Sequence, residues 1–251
     1  MLTLNNTHTE TIRLRRMKRL LFFICILCGK LTVGQLDFKN SNVGRMMNLT
    51  DLDGHSLLKK YDPDVTGTPL LNENWVSAKI MLSKGKEIGP LQVKLNLESN
   101  ELYYLDSASK ELIAQEGVVR KVECVDYYTK DGIKYIFKSG YPAIDKQDEN
   151  FYYQLFTEGK IELLAKKFKY IRSERNDLTG ETSKAFIDGN VVLYVYAYGL
   201  MQTFHPTKEF INSLFEEDKQ QAAKTFIETN KINLKKIPDL VRVFNYYNSL
   251  H

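Results

Sequence analysis

The sequence predicts an α+β fold, a predominantly antiparallel β-sheet body followed by about three C-terminal α-helices packed on or beside it. Three observations predict it. From Trp75 to about Phe204, short apolar and β-branched runs are separated by Gly, Asn, Asp and Ser, the pattern of successive antiparallel strands. After Pro206 the apolar period lengthens to that of amphipathic helices. The strand–helix–strand alternation that builds a parallel sheet does not occur.

Residues 1–16 are polar and basic without apolar periodicity, and read as an extension upstream of a start at Met17. Residues 17–34 read as a cleavable signal peptide. Lys18 and Arg19 supply the basic start, Leu20 to Cys28 the apolar run, and Thr32-Val33-Gly34 the small residues before cleavage between Gly34 and Gln35. Nine uninterrupted apolar residues fall well short of the ~20 that span hydrocarbon. Cys25 and Cys28 follow Ile24 and Leu27, residues larger than those that precede a lipidated cysteine. The expectation is an exported protein, periplasmic, outer-envelope or secreted, with no transmembrane span in the mature chain.

Export changes the meaning of the charge. Of 35 basic and 31 acidic side chains, six and one lie in residues 1–34, leaving 29 against 30. The net charge of +4 thus belongs to the leader, and the mature chain lacks the overall basic field that drives binding to phosphate backbones, which excludes nucleic acid as the expected partner. Cys124 is the one cysteine left after Gln35, so no intramolecular disulfide is expected. In Val122-Glu123-Cys124-Val125 it alternates as a small strand hydrophobe. An aromatic content of 12% is too high for a disordered chain.

Residues 35–70 are polar and rich in turn formers and read as a flexible lead-in. Asp51-Leu52-Asp53-Gly54 opens like a calcium loop but lacks its third acid and closing Glu, so loop chemistry is the reading. The β body spans 71–205, with strands expected near 75–82, 91–97, 101–105, 110–115, 118–128, 132–138, 151–157, 160–170, 183–188 and 191–204. Turns are expected at Ser99-Asn100, Lys130-Asp131-Gly132, Glu158-Gly159 and Asp188-Gly189-Asn190. Tyr194, Tyr196 and Tyr198 share one face and Leu193, Val195 and Ala197 the other, which predicts a central strand covered on both sides. The helical segment, 206–251, carries Phe210, Ile211, Leu214 and Phe215, then Ala222, Ala223, Phe226 and Ile227, then Leu240, Val243, Phe244 and Tyr247 as buried stripes. Pro238 suits the first turn of the last helix.

Two clusters are candidate sites. The pairs Tyr103-Tyr104, Tyr127-Tyr128 and Tyr152-Tyr153 lie on expected strands, where neighbours point to opposite faces and one ring of each pair stands away from the core. Such rings can bind a protein or glycan, and Tyr is also at home on strands without any ligand. Asp145, Asp148 and Glu149 crowd a polar loop where paired carboxylates could do acid–base work, or could simply be solvated. His55, His205 and His251 have no metal-site spacing, and no phosphate loop, nucleophile elbow or Cys-x-x-Cys occurs in the mature chain, so neither metal nor cofactor is expected.

Gly67-Thr68-Pro69-Leu70-Leu71-Asn72 with Trp75, Gly140-Tyr141-Pro142-Ala143-Ile144-Asp145 with Phe151-Tyr152-Tyr153, and Gly159-Lys160-Ile161-Glu162-Leu163-Leu164 give the chain a resemblance over about 65–250. It resembles uncharacterised exported envelope proteins of Bacteroidota. The resemblance implies an envelope location and a β-rich body and brings no catalytic residues. In that group Asp106-Ser107-Ala108 also resembles the acceptor motif for O-linked glycosylation, with Ser107 as the acceptor. The expected function is a non-enzymatic envelope protein binding a protein or glycan of the cell envelope through its tyrosine-rich β face. The alternatives are a small carboxylate-dependent hydrolase and a carrier of a lipid or other hydrophobic ligand.

Overall fold

The computed structural model describes residues 63–250. The leader, with Gly34 and Gln35, most of the 35–70 lead-in, His55 and His251 lie outside the described residues. After a short strand β1 (Val65–Thr66), strands β2 (Val76–Leu82), β3 (Glu87–Asn96), β4 (Glu101–Leu105) and β5 (Glu111–Ile113) form a meander. Strand β6 (Val119–Tyr128) returns to the free edge of β2, and β7 (Lys134–Lys138), β8 (Tyr153–Thr157) and β9 (Ile161–Lys166) extend the sheet outward from it.

The chain then leaves this sheet. Strands β10 (Lys169–Arg175) and β11 (Thr182–Asp188) form a hairpin of a second, three-stranded sheet, in which β1 lies parallel to β11. The chain returns as β12 (Val192–Ala197), antiparallel to β9, and ends the sheet with β13 (Leu200–Thr203). The large sheet has ten strands in the order β13-β12-β9-β8-β7-β6-β2-β3-β4-β5, every neighbour antiparallel. The β10–β11 hairpin is therefore an insertion between two adjacent strands.

The helices follow as read from the sequence: α1 (Lys208–Leu214), α2 (Glu217–Thr229) and α3 (Ile237–Ser249). Thr207 caps α1 by accepting the Phe210 amide at 3.1 Å, and Pro238 sits in the first turn of α3, where a missing N–H costs nothing. Their stripes bury Ile211, Leu214, Ala223, Leu240, Val243, Phe244 and Tyr247 with Ile161, Leu163, Val195 and Ala197 of the sheet. Asn248 of α3 fastens the β8–β9 turn, donating to the Ile161 carbonyl at 2.8 Å and accepting the Ile161 amide at 3.0 Å. The protein is thus α+β, a largely antiparallel body with its C-terminal helices packed on one face.

The other face of β8, β9 and β12 is covered by the 139–151 loop. Tyr153, Leu155, Leu164, Tyr194 and Tyr196 pack there with Tyr141, Ile144 and Phe151. Glu162 is buried in this layer, accepting from the Tyr141 hydroxyl and the Lys138 ammonium, both at 2.6 Å. A third cluster, including Ile80, Val93, Leu102, Val122, Cys124 and Phe137, fills the sheet from β2 to β7.

Four sequence expectations are corrected. The expected strand 160–170 divides at Lys167-Phe168 into β9 and β10, which belong to different sheets. The expected strand 191–204 folds back at Tyr198 and Gly199, both at positive φ, so Tyr198 leaves the face of Tyr194 and Tyr196 for the turn. Strand β12 is buried on both sides as expected but lies next to the edge strand rather than at the centre. Val65–Thr66 pairs with β11, so the lead-in is partly structural.

Replacing Phe244, fully buried between α3 and the sheet, with Ala should lower stability to urea by about 3–5 kcal/mol. Leu178→Ala, at a position 97% exposed, should stay within about 0.5 kcal/mol of the wild type.

Candidate functional site

The six tyrosines do not form one surface. Tyr104 and Tyr152 are buried in the cluster that fills the sheet from β2 to β7, and Tyr153 in the layer under the 139–151 loop. Tyr103 is half-buried, its hydroxyl accepting from Asn96 at 2.9 Å and donating to Glu101 at 3.2 Å. Tyr152 donates to the Val119 carbonyl at 3.2 Å, and burial pushes the Tyr153 hydroxyl up to about 12, helped by the Asp145 and Asp148 carboxylates. Tyr127 and Tyr128 remain accessible at the end of β6, half-buried and 50% exposed respectively.

The carboxylates of the 139–151 loop are engaged locally. Asp145 accepts the Tyr194 hydroxyl at 2.9 Å, pinning the loop to β12, and Asp148 accepts the Asn150 amide at 2.9 Å. The Glu149 side chain is exposed, and its carbonyl accepts the Gly140 amide at 2.7 Å. Two of these acids therefore shape the loop that covers β9. Among the described residues no group of three or more His, Cys, Asp or Glu side chains is arranged to hold a metal ion. His205 is exposed, its ring edge-on to Phe210 just before α1. Ser107 is exposed in the turn between β4 and β5, which Asp106 shapes by accepting the amides of Ala108 and Lys110.

The arrangement with open space lies at the neck of the inserted hairpin. There the chain leaves β9 through Lys167 and Phe168 and comes back through Gly189 and Val191. Gly189 donates its amide to the Phe168 carbonyl at 2.9 Å, and its α-carbon lies against the Phe168 ring, where an added Cβ would stand 2.2 Å from Cζ. Lys169 closes the neck from the other side, donating its ammonium to the carbonyls of Thr68 at 3.0 Å and Leu70 at 2.9 Å.

This neck encloses a cleft of ≈ 330 Å³, lined by Leu71, Leu97, Tyr135, Lys167, Phe168, Lys169, Asp188, Gly189 and Val191. Its volume falls in the range of small-ligand and side-chain pockets. Tyr127 stacks on Tyr135 at 4.8 Å between ring centroids, so one expected site residue buttresses the cleft wall. Lys167 extends over Tyr135, its Nζ 4.9 Å from the ring centroid. Burial lowers the Lys167 pKa below its ordinary value, and the field of Asp188 opposes that only in part.

A second cleft of ≈ 320 Å³ adjoins the first and shares Val191 with it. It is mainly apolar, walled by Val192, Leu193, Phe204, Pro206 and Leu234, with Lys235 at its rim. The two clefts meet at Val191, the first lined by Lys167, Asp188, Tyr135 and Phe168, the second mainly by apolar side chains that include Phe204. The apolar interior offers far less space. The void lined by Leu71, Val76, Val93, Leu95, Leu102, Val122, Cys124 and Phe137 is ≈ 10 Å³, about one water's worth.

Sequence reasoning named none of Tyr135, Lys167, Phe168, Asp188 or Val191 as site residues. The signal present was the basic-aromatic run Lys166-Lys167-Phe168-Lys169, which the strand pattern around it absorbed. Among the described residues no helix is long and apolar enough to cross a membrane. Comparison with protein-family models, with curated proteins and with solved structures finds no match for this chain.

Two outcomes check the geometry. Gly189→Ala should force the Phe168 ring aside and lower stability by about 1–3 kcal/mol, read from urea unfolding. Burial pushes the Cys124 thiol up to about 11, so iodoacetamide at mildly alkaline pH should label Cys124 only after denaturation, as read by peptide mapping.

Proposed function

We propose that this chain is an exported, non-enzymatic envelope protein that holds a partner protein in the groove at the end of its large sheet. The observation that carries this reading is that the two clefts share Val191 as a lining residue. Two clefts that meet at one residue, the first charged and aromatic and the second mainly apolar, suit an extended peptide segment, which presents polar and apolar side chains in succession. A glycan would find polar and aromatic groups in the first cleft and few polar groups in the second. Of the six expected tyrosines, Tyr127 contributes by stacking on Tyr135 at the first cleft, and Tyr128 is exposed at the end of β6.

Export rests on the basic start, apolar run and small-residue boundary of residues 17–34. The partner then belongs to the cell envelope.

Binding of solubilised envelope extract to the immobilised protein tests the reading. Proteinase treatment of the extract should abolish binding and periodate oxidation of its glycans should leave it intact. Val191→Asp, at a half-exposed position shared by the two clefts, should weaken capture of the same partner at least about tenfold. Binding that survives proteinase but not periodate would make the partner a glycan, and binding indifferent to Val191→Asp would move the site elsewhere.

A further inference from the structure

Lys167 is a half-buried cation without an ion-pair partner among the described residues. Its ammonium makes no ion pair or hydrogen bond there, stands over the face of Tyr135 and feels the field of Asp188. Asp188, the carboxylate that lines the same cleft, is close enough to be felt and too far to form an ion pair. Several other lysines have bonded partners, whereas Lys94 and Lys166, like Lys167, stand over aromatic rings. Lys138 bonds Glu162, Lys134 bonds Glu123 at 2.5 Å, Lys121 bonds Glu158 at 2.7 Å, and Lys169 bonds two carbonyls.

Leaving an ammonium partly desolvated and unpaired is unfavourable, and folded proteins normally pair such groups or return them to water. The backbone on the C-terminal side of Lys167 is held, since the Phe168 carbonyl accepts the Gly189 amide and Lys169 is tied to the Thr68 and Leu70 carbonyls. An incoming carboxylate would meet an amine already stripped of much of its water, with Lys166 nearby over the Phe168 ring at 4.9 Å. Such a charge-assisted bond is among the stronger polar contacts available.

We propose that Lys167 anchors a carboxylate of the partner segment, so that the groove selects an acidic residue followed or preceded by apolar residues that occupy the Val191–Leu193–Phe204–Leu234 cleft. The inference rests on the protein-partner reading above and adds the charge of the ligand to it. Asp188 sets the position within the cleft, since like charges keep the carboxylate on the Lys167 side. Lys235 lies at the far rim, beyond the apolar wall.

Random dodecapeptides displayed on phage and panned on the purified protein test it. The wild type should enrich Asp, Glu or a free C-terminus flanked by Val, Leu, Ile or Phe. Lys167→Met keeps the apolar stem and should retain the apolar preference while losing the acidic one. The best acidic peptide should bind Lys167→Met at least about tenfold more weakly by fluorescence anisotropy, with Lys166→Met within about threefold of the wild type. Circular dichroism melting of both variants checks that they fold. Enriched peptides without acidic preference, or an acidic preference unchanged in Lys167→Met, would overturn the carboxylate anchor while leaving a peptide groove in place. Failure to enrich any peptide from a folded protein would overturn the peptide reading itself, and the anchor with it.

Discussion

Strand β9 is buried on both faces, and the rest of the molecule is arranged by that constraint. Ile161 and Leu163 point under the helices while Glu162 and Leu164 point under the 139–151 loop, so neither layer can be removed without exposing the strand. A carboxylate in the second layer is a cost that Lys138 and Tyr141 offset with two short hydrogen bonds, and loss of Lys138 would leave a buried charge unpaired. Asn248 adds the connection to α3, and the preceding residue, Tyr247, ties that helix to the Glu216 amide at 3.1 Å and the Tyr198 hydroxyl at 3.2 Å.

The groove is a consequence of how β9 ends. Its natural antiparallel neighbour is β12, and a short turn would have joined them. Instead the chain makes the β10–β11 excursion into the second sheet and must pass twice through one narrow place at the sheet end. Two passing segments fit only if one lacks a side chain, which is why Gly189 faces Phe168. Strands feeding this neck hold Lys167 over Tyr135, half-buried and beyond ion-pair distance of Asp188. Function is often carried by such irregular segments on a rigid scaffold.

Sequence pattern made the helices legible, because Phe210, Ile211, Leu214 and later Leu240, Val243, Phe244 and Tyr247 keep a helical period and Pro238 marks the start of the last one. It also gave the two covered faces of β12. The division at Lys167-Phe168 was not legible, since a run of alternating residues looks the same whether its two halves pair with one sheet or two. Asp188-Gly189-Asn190 has the composition of a hairpin turn and serves as a crossing between sheets, a difference set by pairing partners far away in the chain. The tyrosine pairs show the same gap. Alternation places Tyr152 and Tyr153 on opposite sides, as found, but nothing local says that the core covers one side and a loop the other. Lys167 was invisible for a further reason, because a lysine without a partner is recognised only once every neighbour is known.

Partner binding at the neck can be located directly by hydrogen–deuterium exchange of the protein with and without proteinase-sensitive envelope extract. The account predicts slowed exchange at 166–169, 188–193 and 203–206 and no change around the β4–β5 turn at 106–109. Protection centred on the 139–151 loop or on the exposed tip of the β10–β11 hairpin, with the neck unchanged, would contradict it.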